Sequence, residues 1–172
     1  MDKVNLPSNE YVAYQKMYLD LVDDQPIVEV LQKSLHEFEN FISELTDEQM
    51  NYAYQKGKWT IKEVVLHMID TERIFQYRAL RFSRKDQTHL PGFSENDFVP
   101  HSNANLRTKA SLVQEYKGVR MSTIVLYETF NSSVEELIGN SSGGTMSVRA
   151  LGYLIVGHQA HHLSVIKERY MV

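Results

Sequence analysis

The 172 residues contain no cysteine, so the chain can form no disulfide and has no thiol nucleophile of its own. They also contain no run of about 18 apolar residues, so no transmembrane helix is predicted. Residues 1–7 lack the apolar stretch of a signal peptide, and the cytoplasm is the expected compartment. Positive charge is scarce as well. Lys and Arg number 18 against 22 Asp and Glu, a formal net charge of -4. That balance argues against nucleic acid as a partner, because a phosphate backbone is met by clustered Lys and Arg. No stretch alternates apolar and polar residues convincingly, so no strand is predicted. What remains is an ordinary soluble composition, 42% hydrophobic and 23% charged, long enough for one domain over residues 1–172 with a real core.

The apolar pattern is helical. Residues 8–21 read as a short amphipathic helix with an aromatic stripe, Tyr11, Tyr14 and Tyr18, packing onto the rest. Pro26 opens a long helix to about residue 45, with Ile27, Val30, Leu31, Leu35, Phe38, Phe41 and Ile42 at the 3.6-residue period. Thr46-Asp47-Glu48-Gln49 and Thr60-Ile61-Lys62-Glu63 are both capping boxes. The first opens a short turn and the second a long helix to about residue 84. Residues 85–105 break the pattern and hold two prolines, the signature of a long functional or crossover loop. A third long helix is predicted over residues 106–130, a short turn over 132–137, a break at Gly143-Gly144, and a fourth long helix over 147–170. The stretches around residues 46–62 and 133–149 align without a gap, each a short capped turn, a glycine break and a capped long helix. Two such pairs suggest approximate two-fold symmetry, although helix starts in general resemble one another. The predicted fold class is all-α.

Histidines occupy the inward faces of two of these helices. His158 and His162 lie four residues apart, which stacks both imidazoles on one face about 6 Å from each other. Taking about 100° per residue, Leu151, Leu154, Ile155 and Val165 share their stripe, so the pair faces the interior. His67 sits in an apolar stretch of the second long helix and supplies a third nitrogen. Three adjacent imidazoles buried without a cation would leave ring nitrogens short of partners, at about 1–3 kcal/mol each. The pattern therefore predicts a metal on His67, His158 and His162, with open positions as in a catalytic site.

Several neighbours have more than one reading. Asp70 is placed either to accept a proton from a ligand imidazole and fix its tautomer, or to pair with Arg73, Arg78 or Arg81. His161, about 60° from His158, lies at the edge of the stripe and is a candidate general base. Glu63 is explained by its cap. Glu72 points about 140° away from His67 and reads as solvent-facing or paired. His36, His89 and His101 read as surface residues, and Trp59 as a hydrophobic anchor.

The chain resembles the DinB/YfiT-like superfamily of metalloenzymes, in particular its DinB-like branch. The likeness is carried by Gly57-Lys58-Trp59-Thr60-Ile61-Lys62-Glu63-Val64, by His67 with Asp70-Thr71-Glu72-Arg73, and by Tyr77-Arg78-Ala79-Leu80-Arg81. Leu90-Pro91-Gly92-Phe93, Val148-Arg149-Ala150-Leu151-Gly152-Tyr153 and Gly157-His158 through His162 extend it over most of the chain. The resemblance implies a four-helix bundle of up-down-down-up topology, with residues 85–105 as the crossover between helices 2 and 3. It also implies a divalent metal, nickel or zinc, on three histidines matching His67, His158 and His162, and a homodimer.

Three functions are then in play, with thiol transfer the leading expectation and the other two its alternatives. A transferase would activate a low-molecular-weight thiol, such as bacillithiol or mycothiol, for attack on an electrophilic small-molecule substrate. A hydrolase would use water activated by the ion, and would be favoured by a carboxylate beside the open position, for which the sequence offers Asp70. A non-catalytic metal-binding stress-response module would close the site with a fourth protein ligand such as His161.

Overall fold

Each of three long helices in the computed structural model, which describes residues 2–171, starts at a hydroxyl that caps it. Helix α1 spans Ile27–Glu44 and follows Pro26; α2 spans Ile61–Ser83, α3 Lys109–Glu128 and α4 Val148–Arg169. At α2, Glu63 N donates to Thr60 Oγ1 at 3.2 Å while Thr60 N donates to Glu63 Oε2 at 2.8 Å. At α3 Thr108 Oγ1 accepts from Ser111 N at 3.1 Å, and at α4 Ser147 Oγ accepts from Ala150 N at 3.0 Å, each without a return bond. Each such cap satisfies an orphan N–H and is worth about 1 kcal/mol.

The bundle pairs α1 with α3 and α4, and α2 with α3 and α4, with the most extensive packing between α2 and α4. Helix α1 therefore lies diagonal to α2, and α3 diagonal to α4, while residues 84–108 run back along the bundle, from Leu90 at the hairpin to Asn105, which accepts from Thr60 Oγ1 at 2.7 Å, to bring α3 beside α2. This is a four-helix bundle. The crossover is less irregular than the sequence predicts: it holds a short helix, Glu95–Phe98, and 3-10 turns at Val99–His101 and Ala104–Leu106.

One element was absent from the predicted all-α pattern. Strand β1, Ile138–Ser141, pairs antiparallel with β2, Gly144–Ser147. The turn between them puts both Ser142 and Gly143 at positive φ, 52° and 80°, which matches the twist of a two-residue hairpin. The strands are four residues long, too short to show a period. Part of their pairing comes from far away: Leu90 N donates to Asn140 O at 3.0 Å, and Ser142 N to Leu90 O at 3.3 Å. The hairpin thus ties the crossover to the end of the bundle.

The N-terminal helix is shorter than the predicted 8–21. It consists of a 3-10 turn, Ala13–Gln15, running into Lys16–Leu19. Residues 9 and 10 use their polar groups on the hairpin and α4 instead. Ser147 N donates to Glu10 O at 3.0 Å, and buried Glu10 accepts from Ser147 Oγ at 2.8 Å and Arg149 Nε at 2.7 Å. Lys16–Leu19 lies directly on α4 because residue 157 is glycine: a Cβ there would stand 2.2 Å from Tyr18 O. That close approach sets Tyr18 beside the histidines.

Candidate metal centre

His67 from α2 and His158 and His162 from α4 meet where these two helices pack. Nε2 of His158 is 3.1 Å from Nε2 of His67 and 3.0 Å from Nε2 of His162. A candidate ligand atom from each of the three residues lies within 4.8 Å of the others. One imidazole nitrogen carries either a single N–H or a single lone pair, so His158 Nε2 cannot make good hydrogen bonds to both neighbours. One cation facing three lone pairs resolves the contact. Nitrogens 3.0–3.1 Å apart subtend about 90–100° at an ion 2.0–2.1 Å from each, a normal angle between adjacent ligands.

The electrostatics agree with that fit. Burial pulls the His67 pKa down to about 4, with the charge of Glu95 opposing, and that of His162 down to about 3. Burial also holds His158 well below the ordinary range, reinforced by its histidine neighbours. All three rings are neutral near pH 7 and present lone pairs.

The three rings sit at the floor of a cavity of about 620 Å³. Trp59 stands against His67, ring centroids 5.1 Å apart, and Tyr18 meets His158 edge-on at 5.5 Å. Tyr14, Phe75 and Arg78 continue the wall, and the crossover adds His89, Phe93 and Glu95. Thr71, one turn from His67, also lines the space; its Oγ1 is buried and has no hydrogen-bond partner. An unsatisfied hydroxyl beside converging imidazoles is the second mark of a site shaped for a bound group.

Not every predicted site residue arrives here. Asp70 makes no hydrogen bond to any of the three rings among the described residues. Its carboxylate lies 3.6 Å from Arg73 Nη1, which in turn pairs with Glu115 of α3 at 2.6 Å. Three residues from His67 is about 60° around the helix, enough to turn Asp70 onto the α3 side. Burial raises its pKa, opposed by Arg73. His161 likewise falls outside the cavity wall and is no fourth member of the cluster. Its ring packs edge-on against Tyr18 and His162, centroids 5.4 and 5.1 Å away. Neither residue is part of the wall of this cavity.

Other residues carry more than the sequence suggested. Trp59 is a cavity wall as well as an anchor, Tyr18 is a ring contact of two histidines, and exposed His89 lines the space. His36 and His101 are exposed and distant from it. Glu72 is not solvent-facing: it is 3% exposed and paired with Arg120. Glu95 and Arg78 were missed. Glu95 belongs to a loop without periodicity, although Ser94, which caps its short helix at 3.3 Å, is a readable start signal. Arg78 lay eleven residues from His67, three turns with about 20° of drift, and so on the same face.

A helical bundle with three neutral imidazoles converging at the base of an open cavity defines a metal-binding class of protein. The DinB superfamily profile matches residues 31–166, and the chain belongs to that family. Among curated relatives it is 23% identical over 128 residues to an Oceanobacillus iheyensis protein named "Putative metal-dependent hydrolase", covering 73% of each chain. A Bacillus cereus protein of the same name is 21% identical over 167 residues, covering 96% of this chain and 95% of its own. Among solved structures, YfiT from Bacillus subtilis superposes with a TM-score of 0.72 at 15% identity, covering 95% of this chain and 90% of its own. It is described as a probable metal-dependent hydrolase with an unusual four-helix bundle topology. A mycothiol-dependent maleylpyruvate isomerase superposes at 0.63 and 8% identity, covering 85% of this chain and 61% of its own. Among the described residues, no helix is long and apolar enough to cross a membrane.

Proposed function

We propose that this protein is a metal-dependent hydrolase of small molecules, with His67, His158 and His162 holding a divalent ion. The observation that carries the reading is Glu95, a carboxylate on the wall of the same cavity whose charge acts on His67. The names of the relatives support the same reading. Nickel and zinc suit neutral imidazole donors. Such an ion supplies Lewis-acid chemistry, polarising a carbonyl and making water a stronger acid. The chain's own residues do the rest. Glu95 accepts the proton of the attacking water on a carboxylate oxygen and returns it to the leaving group. Trp59 and Tyr18 hold the histidine rings and keep bulk water from their edges.

Substituting Glu95→Gln is expected to lower kcat by about 10²–10⁴-fold on an ester or amide substrate, the usual worth of a general base. Bound metal per chain should not change. Loss of metal together with activity would make Glu95 a ligand, and unchanged kcat would remove it from the mechanism.

Thiol transfer is the second reading, favoured by the fold shared with a mycothiol-dependent enzyme and by a chain with no cysteine nucleophile. A low-molecular-weight thiol would then enter the cavity as co-substrate. Conjugation of bacillithiol or mycothiol to a bromobimane-type electrophile, without hydrolysis of esters or amides, would select it.

We also infer a homodimer. Tyr77 and Leu80 on α2 and Met121 and Val125 on α3 are exposed, and Gln76 to Ser122 at 2.8 Å joins the two helices between them. An apolar face shared by adjacent helices is suited to a second copy. Sedimentation equilibrium at micromolar concentration should give about 40 kDa, twice the 20.0 kDa chain. A single 20.0 kDa species would refute the dimer.

A further inference from the structure

Arg78 is only 3% exposed, yet it makes no salt bridge to a carboxylate among the described residues. Its hydrogen-bond partners are Pro91 O at 3.1 Å and Ser142 Oγ at 2.8 Å, both reached by Nη2, and its guanidinium lies 5.7 Å from the centroid of the Phe75 ring. The Nε–H and the two N–H groups of Nη1 have no protein acceptor. Buried guanidinium groups are ordinarily paired, because an uncompensated charge out of water is costly. The two contacts explain why the residue holds the crossover against the hairpin. They leave the charge without a carboxylate and three donors without a protein acceptor, on nitrogens that are not sealed from solvent and belong to a residue of the cavity wall.

Its position supplies a reason. Arg78 lines the same cavity as the histidines, on the same face of α2. It lies eleven residues and about 16 Å along the axis from His67, with its side chain inclined back towards that end. Between the two ends stand Thr71, whose buried hydroxyl has no partner, and the apolar ring of Phe75. Glu95 on the same wall disfavours a second negative charge near the histidines. The profile is that of an elongated molecule with one anionic end, an apolar body and a reacting end.

We propose that Arg78 binds the carboxylate of a carboxylate-bearing substrate whose reacting bond lies about three helical turns away, at the three histidines. This assigns a substrate class and a specificity residue. It rests on the hydrolase reading only for what happens at the far end.

The test uses the single tryptophan, Trp59, as a fluorescence reporter inside the cavity. Octanoate and octanamide are titrated into the full-length protein, metal-free so that no ion competes for the carboxylate. The pair differs only in the charge of the head group, and the readout is the ratio of their affinities. In the parent protein octanoate should bind at least about tenfold more tightly, the discrimination expected of a charge-assisted contact. Arg78→Gln should bring the ratio to near one, and Arg78→Lys should retain part of it, since the charge survives without the fork. A role confined to holding the loop would weaken both ligands equally and leave the ratio unchanged.

If Arg78→Gln does not fold, the parent and Arg78→Lys ratios still decide the matter. A parent ratio near one, or a ratio that survives Arg78→Gln, overturns the proposal. Because the metal-free protein reads the anion site by itself, a protein that hydrolyses nothing can still pass this test. A protein that hydrolyses neutral esters can still fail it.

Discussion

Replacing His158 with alanine is expected to abolish stoichiometric metal binding, because its Nε2 is the atom that the other two rings approach, at 3.1 and 3.0 Å. His162→Ala should have the same effect, since it removes the partner one turn away. His67→Ala should weaken binding severely while leaving a two-histidine half-site on α4. His36→Ala and His101→Ala should leave metal content intact, both residues being exposed and remote from the cavity. Metal analysis of the dialysed proteins reads the result directly. Calorimetry gives a second readout. An ion that binds only the folded chain, at 100 times its Kd, stabilises by about 2.7 kcal/mol. For a domain of this size that raises Tm by about 5–10 °C, and chelation should remove it. His158→Ala should show no metal-dependent rise. A parent-like metal content in His67→Ala would mean that α2 contributes no ligand and that the centre is built on α4 alone.

Why this centre could be read in the sequence, and its surroundings could not, follows from what each part depends on. The spacing of His158 and His162 and the capping boxes at Thr46 and Thr60 are local. A helix presents residues four apart on one face, and a threonine hydroxyl reaches the N3 amide, whatever else the fold does. The structure shows both boxes closed, with Gln49 N to Thr46 Oγ1 at 3.1 Å and Glu63 N to Thr60 Oγ1 at 3.2 Å. The hairpin depends on Leu90, about fifty residues away, and its strands are too short to carry a signal of their own. Glu95 reaches the cavity only because the crossover folds back over the end of α2, and no periodicity in residues 85–105 could reveal that. Asp70 and Glu72 show the limit of a helical wheel. Both lie away from His67, but α2 has packed neighbours on two sides. Facing away from the metal therefore meant, for Glu72, facing Arg120 of α3 and, for Asp70, pairing with Arg73 of its own helix, and not facing open water.

Removing the carboxylate of Glu72 should produce the largest stability loss of any single change argued here. Arg120 of α3 is 1% exposed and contacts all three other long helices. Its Nε and Nη2 donate to Glu72 of α2 at 2.8 and 2.9 Å, Nη2 also to Gln159 of α4 at 2.9 Å, and Nη1 to Ser34 of α1. Thr123 Oγ1 donates to Glu72 at 2.8 Å, and Gln159 Nε2 to Ser34 O at 2.8 Å. Glu72→Ala leaves that guanidinium buried and unpaired, which costs about 3–5 kcal/mol. Thermal unfolding should register this as a fall in Tm of about 6–20 °C. The pair itself need not be a net source of stability, since both charges were taken out of water to make it. Replacing Glu72 and Arg120 together by methionine should therefore recover most of the loss, and the double-mutant cycle should show strong coupling. The network also borders the metal floor: Glu72 follows Thr71 and Gln159 follows His158 in the chain. Glu72→Ala should accordingly loosen metal binding, and the double methionine variant should restore it if packing between α2 and α4 is what positions the rings. A Tm change below about 2 °C in Glu72→Ala would show that Arg120 finds other compensation, and that the bundle holds its histidines without this pair.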